Sequence, residues 1–459
     1  MTEWIDIIHG IVWGNGTLAL FLVTGIFFTI RYRGFQVRKF KQWWGETAGS
    51  LWRQKDSKTG SRDFSQMQAA CTALAATIGT GNIVGVATAL TAGGPGALFW
   101  MWISALIGMM TAYAETSLGM KFRYRNRDGQ WLAGPMIYIE RGLKRKVPAV
   151  AYAILCILAS LGMGSMVQSN SMTATLQYQL GIPVVWPSAL ITFMVFIILS
   201  GGVKQMAKVT ERLIPWAAGI YIAFSLIILI SCFDRIGPIF TEIFRQAFSP
   251  RAAIGGTVGY SIQTALRYGM ARGVFSNEAG LGSLAVLHGN AGDDNPQKQG
   301  MWAMFEVFFD TIIICTMTGL VILCMTDGGA NYGGYDGAAL TAWCFAGRLG
   351  TAGEWLICAA MLVFAFATIL AWYYAGRQVV LYLIDRIRWL PAWLEKGYFL
   401  LYLGAVYYGG IGALERVWDL SDIWNGGMAV LNLVALLLLC AEVPAPEERK
   451  RPQSEVTGD

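Results

Sequence analysis

The sequence predicts an all-α integral membrane protein with eleven transmembrane helices: one extra N-terminal helix and a core of two inverted five-helix repeats whose first helices are discontinuous. Three observations predict this class. Of the 459 residues, 55% are hydrophobic and 14% charged, and the mean hydropathy is +0.47. The basic residues are concentrated in alternate loops between apolar runs. Two of these runs are interrupted by glycine-rich segments at corresponding positions of the two halves, a feature of inverted-repeat membrane folds.

The predicted helices are apolar runs close to the length of about 20 residues that a spanning helix requires. They cover residues 14–30, 67–92, 96–119, 148–170, 186–202, 213–233, 257–288, 301–325, 353–375, 398–413 and 423–441. The chain begins MTEWIDIIHG, without the basic cluster of a signal peptide, so we expect the first run to remain as a helix.

The ten helices after the first divide into two groups of five with opposite topology. Residues 67–233 form the first predicted repeat and residues 257–441 the second, and each begins with an interrupted helix. Residues 1–66 hold the extra helix and a basic cytoplasmic loop, and residues 442–459 form a polar cytoplasmic tail.

The distribution of charge predicts the orientation in the cell (inner) membrane. Because basic loops stay in the cytoplasm, the N-terminus is predicted outside and the C-terminus inside. The basic residues predicted in outer loops are Arg235, Arg245, Arg251, Arg348 and Arg416. This distribution accounts for the net charge of +6 without a nucleic-acid partner, since the basic stretch 31–62 faces anionic lipid headgroups.

Several functional classes are excluded by what the sequence lacks. It has two histidines, and its eight cysteines form no C-x-x-C pair, so no histidine-rich or cysteine metal site is expected. It offers no Ser/His/Asp set, no H-E-x-x-H motif and no nucleotide-binding loop. We therefore expect no enzyme activity and no cofactor, and the sequence indicates no obligate protein partner.

The first interrupted helix carries Gly79 to Asn82 (GTGN) at the middle of its apolar run. Each glycine lowers helix stability by about 1 kcal/mol relative to alanine. A break at this depth would expose backbone polar groups, which is tolerated where they line a cavity or contact a ligand. The alternative is close helix packing, because Gly81 and Gly85 form a small-x-x-x-small pair.

A second interrupted segment, Arg272 to Ser283, favours a binding site over packing, because the two breaks occupy matching positions in the two halves. Half-helix N-termini suit a carboxylate, and half-helix C-termini suit a small cation or an ammonium group. The exposed backbone groups at two breaks therefore predict a binding site for a zwitterionic amino acid together with sodium, rather than for a sugar.

The second break also contains polar side chains that could bind a ligand. Ser276 and Asn277 supply neutral donors and acceptors, and Glu278 is an ionisable group near membrane depth, which by default indicates function. The alternative is that Glu278 forms a structural ion pair with Arg267 or Arg272.

Other polar residues lie within predicted helices. Glu115, Glu306 and Asp310 are expected to be structural or gating residues rather than substrate contacts. Gln168 and Asn170 belong to a polar stripe on the fourth helix and are expected to line the cavity.

Four motifs together resemble the alanine-or-glycine:cation symporters. They are residues 79–83 (GTGNI), 93–97 (GGPGA), 99–102 (FWMW) and 273–282 (GVFSNEAGLG). The resemblance covers nearly the whole chain, including the extra first helix. It implies the leucine-transporter type of inverted-repeat fold and uptake of small neutral amino acids, alanine and glycine, coupled to sodium by alternating access. Proton coupling and an uncoupled facilitator are the alternatives.

The resemblance also assigns site residues. It places the substrate against Thr80, Gly81, Asn82, Gln168, Ser276, Asn277 and Glu278. By similarity to the conserved sodium site of the fold, the ion is expected between backbone carbonyls near Ala76 and Gly79 and the hydroxyl of Thr368. The resemblance also implies a second hydroxyl just before this threonine, as in many members of the family, whereas this chain has Ala367. Trp372, four residues after Thr368, shares its helix face and is expected to close an apolar wall of the substrate site.

Overall fold

The regular structure is almost entirely helical, which confirms the all-α prediction. The computed structural model describes residues 10, 12–51, 64–248, 262–387, 389–412 and 415–446. Parts of the predicted extra helix region, of the seventh and tenth helices and of the tail lie outside these residues. The strands Tyr124–Arg125 (β1) and Trp131–Leu132 (β2) form one antiparallel hairpin in the described part of the chain.

The first half of the chain contains the first broken span. Before it come α1 (Asn15–Arg31), α2 (Phe35–Arg38), α3 (Phe40–Glu46) and α4 (Ala48–Leu51). The broken span consists of α5 (Gln66–Thr77), a 3-10 turn (Thr80–Asn82) and α6 (Val84–Gly93). After it come α7 (Gly96–Phe122), α8 (Pro135–Arg141), α9 (Lys146–Leu161), a π-helical segment (Gly162–Val167), α10 (Gln168–Leu180), α11 (Val185–Ser200), α12 (Val203–Ser231) and α13 (Phe233–Ala247).

The second half begins with the second broken span. This span consists of α14 (Ile262–Asn277), α15 (Ser283–Leu287) and a 3-10 turn (His288–Asn290). After it come α16 (Pro296–Val307), a second π-helical segment (Phe308–Cys315), α17 (Thr316–Met325), α18 (Gly337–Leu349), α19 (Thr351–Arg386), α20 (Trp393–Ile411) and α21 (Glu415–Leu438).

Within the described residues, six helical stretches are long and apolar enough to cross a membrane, and the bent pair α5 and α6 makes a seventh. The helices α1 and α11 are shorter and also apolar. A multi-pass membrane protein is therefore confirmed, while the count of eleven helices and the repeat arrangement stay predictions. We call the face where α6 ends and α21 begins the outer face, after the predicted orientation, and the opposite face the inner face.

Local sequence explains how the first broken span begins and bends. Ser65 and Gln68 form a capping box at the start of α5, each side chain accepting the backbone N–H of the other residue at 3.1 Å. The helical hydrogen-bond ladder ends with the N–H of Ile78, which donates to the Leu74 carbonyl at 2.7 Å, and α6 leaves at 55° to α5. The bend separates the two half-helices near the middle of the span.

The long helix α7 supports both halves of the second broken span, since it packs along α14 and also contacts α15. Small residues allow this close approach. A Cβ atom added at Gly269 would lie 2.4 Å from the carbonyl oxygen of Ala97, and one added at Gly119 would lie 2.8 Å from Cβ of Ala285. The position of the second break is thus fixed by backbone contact with α7.

We expect Gly269→Ala to lower the unfolding temperature of the purified protein, because the added methyl group meets the α7 backbone and overpacking costs about 1–3 kcal/mol. Gly404→Ala on α20 is the matched control, since nothing lies within 4 Å of its added Cβ. That control is expected to be neutral or slightly stabilising. Thermal unfolding in detergent, followed by tryptophan fluorescence, measures both, and equal melting temperatures would contradict the packing argument.

Candidate functional site

The first broken span is unwound between α5 and α6, where Ile78 has extended backbone and Gly79 is also non-helical. Polar side chains satisfy part of the exposed backbone. The N–H of Gly79 donates to Oδ1 of Asn82 at 3.0 Å, and the N–H of Thr80 donates to Oε1 of Gln168 at 3.4 Å. The buried hydroxyl of Thr80 has no hydrogen-bond partner among the described residues. The break therefore presents one hydroxyl group, that of Thr80, that is free to bind a ligand in the interior.

The hydroxyl of Thr368 on α19 faces the carbonyl end of α5. Its oxygen lies 2.8 Å from the carbonyl oxygen of Ala75, 3.0 Å from that of Phe364 and 3.4 Å from that of Ile78. A hydroxyl has one proton, so it can donate fully to one of these carbonyls. A Cβ at Gly79 would lie 2.7 Å from this hydroxyl, so the close approach requires glycine. The result is a cluster of four oxygens with a single shared proton.

The second broken span is unwound between α14 and α15, with three residues in left-handed backbone conformation. Gly280 (φ 92°) and Gly282 (φ 82°) adopt it readily, whereas Glu278 (φ 57°) is strained there. Two hydrogen bonds hold the Glu278 carboxylate: Oγ of Ser283 donates to it at 2.6 Å and Nε1 of Trp372 at 2.9 Å. Each carboxylate oxygen of this strained residue thus has one hydrogen-bond donor.

Glu115 on α7 holds the backbone of the same break. Its Oε2 accepts the N–H groups of Gly280 and Gly282, both at 3.1 Å, and the side-chain amide of Asn432 at 2.8 Å. Tyr138 in turn donates to the Asn432 side chain. Glu115 is fully buried, and it anchors the unwound segment to two other helices.

The two breaks meet at Asp310, which lies in the second π-helical segment. Its Oδ1 accepts a hydrogen bond from Nδ2 of Asn82 at 2.6 Å. Its Oδ2 accepts hydrogen bonds from the hydroxyls of Ser276 and Thr311, both at 2.8 Å. Asn277 donates to the Thr311 hydroxyl at 3.1 Å. One buried carboxylate therefore joins the first break to the second, and we call this set of five residues the central junction.

The residues predicted for substrate and sodium are all buried, at or beside the central junction. They are Ala76, Gly79, Thr80, Gly81, Asn82, Gln168, Ser276, Asn277, Glu278, Thr368 and Trp372. Gly81 lies directly against the second break, because a Cβ added to it would be 3.1 Å from Cα of Ser276.

The carbonyls that face Thr368 belong to Ala75 and Ile78, whereas the prediction named those of Ala76 and Gly79. The physical reason is local. In a continuous helix the N–H of Gly79 would donate to the carbonyl of Ala75, but here it donates to the side chain of Asn82. The Ala75 carbonyl is thereby released toward Thr368.

One alternative from the sequence is wrong. No guanidinium among the described residues lies within 4 Å of the Glu278 carboxylate, and Arg272 instead lies over the ring of Phe275 at 5.6 Å, so there is no structural ion pair between them. Asn170 lines a separate cavity of about 270 Å³, and its side chain donates to the carbonyls of Gly409 and Gly412 at the end of α20, at 3.2 and 2.9 Å.

The sequence did not show the particular contacts of Asp310 and Glu115, which were expected to be structural or gating residues. Asp310 contacts predicted substrate residues from both breaks, and Glu115 supports the backbone of the second break, which is a structural role. A carboxylate inside an apolar span is itself a signal of function. The sequence could not show which break each carboxylate would face.

The inner side of the central junction is closed. Phe64, just before α5, pairs its backbone with Asn290 and Gly292, both at 3.0 Å. The amide side chains of Gln66 and Gln299 exchange hydrogen bonds at 2.7 and 3.4 Å. The backbone contacts of Phe64 hold the start of α5 against the end of the second broken span, and the glutamine pair holds it against α16.

Comparison with known proteins identifies the family. The model of the sodium:alanine symporter family matches residues 1–449. The chain belongs to the sodium:alanine symporter family. An uncharacterized transporter of Haemophilus influenzae is 41% identical to this family member over 435 residues, which cover 94% of this chain and 92% of that protein. The sodium/alanine symporter AgcS of Methanococcus maripaludis is 38% identical over 448 residues, which cover 96% of this chain and 95% of that protein.

A solved structure shares the fold of this family member. The crystal structure of MhsT in complex with L-phenylalanine has a TM-score of 0.58 and 15% sequence identity, and the match covers 84% of this chain and 90% of that one. This similarity confirms the leucine-transporter type of fold that the sequence motifs implied. The family and its structural neighbours are transporters and not enzymes, as predicted.

We expect Glu115→Ala to destabilise this sodium:alanine symporter family member strongly and Glu115→Gln much less. Alanine would leave the N–H groups of Gly280 and Gly282 and the amide of Asn432 without their acceptor, and each buried unsatisfied donor costs about 1–3 kcal/mol. Glutamine retains one acceptor oxygen. Thermal unfolding of both purified variants beside the wild type is the measurement; an Ala variant as stable as the wild type would rule out the anchoring role.

Proposed function

We propose that this protein is a secondary active symporter of small neutral amino acids, alanine and glycine first, coupled to sodium and working by alternating access. The observation that carries the proposal is the meeting of two unwound spans at one buried polar junction. Membership of the sodium:alanine symporter family and the similarity to AgcS support it. The proposal includes the inner membrane as location, with the N-terminus outside, the C-terminus cytoplasmic and two inverted repeats over residues 67–233 and 257–441.

For sodium we propose the oxygen cluster around Thr368. Its hydroxyl and the carbonyl oxygens of Ala75 and Ile78 would be the ligands, in place of the carbonyls of Ala76 and Gly79. These oxygens lie close together, but the hydroxyl has one proton and can donate fully to only one carbonyl. A bound cation would stabilise the remaining oxygen lone pairs, which face one another. Hard oxygen ligands of this kind suit an alkali cation. Ala367 contributes no side-chain oxygen to this shell.

For the substrate we propose the central junction and the two breaks beside it. The carboxylate would meet the turn at Thr80 to Asn82, where α6 begins and its dipole is positive. The ammonium group would meet acceptors of the second break, from Ser276 to Glu278, with Gln168 contacting the substrate from α10. Both charged ends of a small amino acid are thereby matched.

Trp372 supports the restriction to small substrates. Its Cβ packs on Gly164, where an added Cβ would lie only 2.4 Å away, and its indole N–H is held by Glu278. The ring therefore forms a fixed wall beside the junction. We propose that this wall leaves room for the side chains of glycine and alanine, and that larger side chains would need Trp372 to move.

Proton coupling is the second candidate, because Glu278 is a buried carboxylate whose side-chain partners are the neutral donors Ser283 and Trp372. A proton would neutralise this charge without sodium. An uncoupled facilitator is a less favoured alternative, since the inner closure at Phe64 and Gln66 argues for a gated path.

Uptake of radiolabelled alanine into proteoliposomes tests the proposed function. With an inward sodium gradient and equal pH on both sides, we expect alanine to accumulate above its external concentration. A proton gradient without sodium is expected to give no accumulation. Accumulation of alanine with a proton gradient alone would favour proton coupling at Glu278. If alanine only equilibrates across the membrane under every gradient, the protein is an uncoupled facilitator.

We expect Thr368→Ala to raise the sodium concentration for half-maximal alanine uptake by about tenfold, equivalent to about 1.4 kcal/mol, because one proposed ligand is removed. Thr192→Ala on α11 is the matched control: this half-buried threonine also bonds to its own i−4 carbonyl, at 2.8 Å. Sodium activation curves at fixed alanine concentration measure both variants. An unchanged sodium activation curve for Thr368→Ala would show that the sodium site does not lie in this oxygen cluster.

A further inference from the structure

A buried histidine and a buried glutamate lie beside the contacts that close the inner side. His288 begins the 3-10 turn that ends the second broken span, and Glu306 lies on α16. Nε2 of His288 is 3.0 Å from Oε2 of Glu306, and both side chains are fully buried. The proposed substrate and sodium sites include neither residue, so the pair is a separate feature of the molecule.

Gln299 connects this pair to the inner closure. Its Oε1 lies 3.0 Å from Nδ1 of His288, and its Nε2 donates to Oε1 of Gln66 at 2.7 Å. Gln66 is the first residue of α5, and Gln299 is fully buried on α16. A change in the hydrogen bonds of His288 therefore reaches the start of α5 through a single side chain.

The hydrogen bonds of the pair require a proton between the two side chains. Because Nε2 of Gln299 donates to Gln66, the atom of Gln299 that faces His288 is an acceptor, so Nδ1 of the ring carries a hydrogen. Nε2 of the same ring faces a carboxylate oxygen of Glu306, and two lone pairs at 3.0 Å would repel each other. Either Nε2 or Oε2 therefore carries a further proton. The other carboxylate oxygen, Oε1, is buried without a hydrogen-bond partner among the described residues.

Other titratable and charged groups near the pair come from four neighbouring elements. They are Cys71 on α5, Arg123 after α7, Glu211 on α12 and Glu278 in the second break. In the loop before α16, Asp293 pairs with Lys298, and Asp294 pairs with Arg123. The Arg123 guanidinium also donates to the carbonyls of Gly289 and Ala291, at 3.0 and 2.8 Å. The buried carboxylates among these neighbours disfavour the extra negative charge that loss of the proton would leave on the pair.

We propose that His288 and Glu306 form a proton-binding site that stabilises the inner closure. With the proton bound, the His288 ring is held by Gln299 on one side and by Glu306 on the other. Without it, Nε2 and the carboxylate repel each other, the ring leaves one of its partners, and Gln299 is no longer held toward Gln66. The proton passes to cytoplasmic water, and the pair gains one negative charge.

A proton is the ligand that suits this pair. Among the residues that the structure describes, no group of three or more His, Cys, Asp or Glu side chains could hold a metal ion. The proposal rests on the proposed alternating access and adds to it a control by cytoplasmic pH.

The direction of the pH effect follows from the open conformation, in which water reaches the pair. A histidine in water loses its proton at about pH 6.5. Above that pH, opening releases the proton, so an alkaline cytoplasm favours the open inner side and an acidic one favours the closure. Below it, both conformations hold the proton and the dependence ends. One proton changes the ratio of closed to open molecules by up to about tenfold for each pH unit.

The test is alanine uptake into right-side-out proteoliposomes, whose lumen contacts the inner face, at fixed external pH and saturating sodium. We expect kcat to rise roughly threefold or more when the luminal pH is raised from about 6.5 to about 8.5. Glu306→Gln is expected to abolish this dependence and to keep kcat at the low wild-type value, because an amide N–H replaces the bound proton at every pH. Changing the external pH at constant luminal pH is expected to have no comparable effect, which separates this site from proton coupling at Glu278.

Gln66→Leu tests the connection without altering the pair. It removes the partner of Gln299 on α5, so we expect a higher kcat at low luminal pH and a pH dependence smaller than that of the wild type. Glu211→Gln is the matched control, because this half-buried glutamate accepts from Gln68 at 3.1 Å, and its variant should keep the wild-type pH profile.

Three results would overturn the proton site. They are a wild-type kcat that does not depend on luminal pH, a Glu306→Gln variant with the wild-type dependence, and loss of the dependence in Glu211→Gln, which would assign the effect to charge at the inner face in general. A wild-type pH profile in Gln66→Leu would also contradict the proposal, because the proton would then not act on the closure.

The outcome is separable from that of the proposed function. If the wild type takes up no alanine under any gradient, amino-acid transport fails as a whole. If the wild type accumulates alanine at the same rate at every luminal pH, the proton site alone is wrong.

Discussion

The structure depends on one constraint: backbone polar groups that leave the helical ladder inside a membrane must find other partners. Two spans break this ladder close to Asp310, and side chains from other helices supply the partners. Gln168 accepts a backbone hydrogen bond from the first break, and Glu115 accepts backbone hydrogen bonds from the second. Asp310 accepts side-chain hydrogen bonds from both. Because these partners lie far apart in sequence, the breaks also tie the helices of the bundle together.

The π-helical segments contribute to the same arrangement. One lies immediately before Gln168, and the other contains Asp310 and Thr311. A π-helical turn widens the ladder and rotates the following side chains relative to a regular helix, and such turns are frequent at functional sites. Both segments sit beside the broken spans, so irregular backbone on four separate stretches of chain converges on one buried region.

Sequence reasoning located the breaks because glycine-rich interruptions of an apolar run are local features, and the same holds for the apolar spans. What it could not give were the contacts that depend on tertiary structure. The carbonyls facing Thr368 are shifted by one residue because Gly79 donates to Asn82, a choice that spacing does not reveal. The alternative that Glu278 pairs with an arginine was wrong for a similar reason: in the fold, its carboxylate accepts hydrogen bonds from the Ser283 hydroxyl and the Trp372 indole.

The inner closure has an energetic consequence. Phe64 and Gln66 hold it with two backbone and two side-chain hydrogen bonds, and each such bond contributes about 0.5–1.5 kcal/mol net. Their sum is of the same order as the roughly 5.5 kcal/mol needed to invert a two-state population from 1:99 to 99:1. Under the proposed alternating access, a closure of this strength lies within the range that the differential affinity of one small ligand for two conformations can reverse.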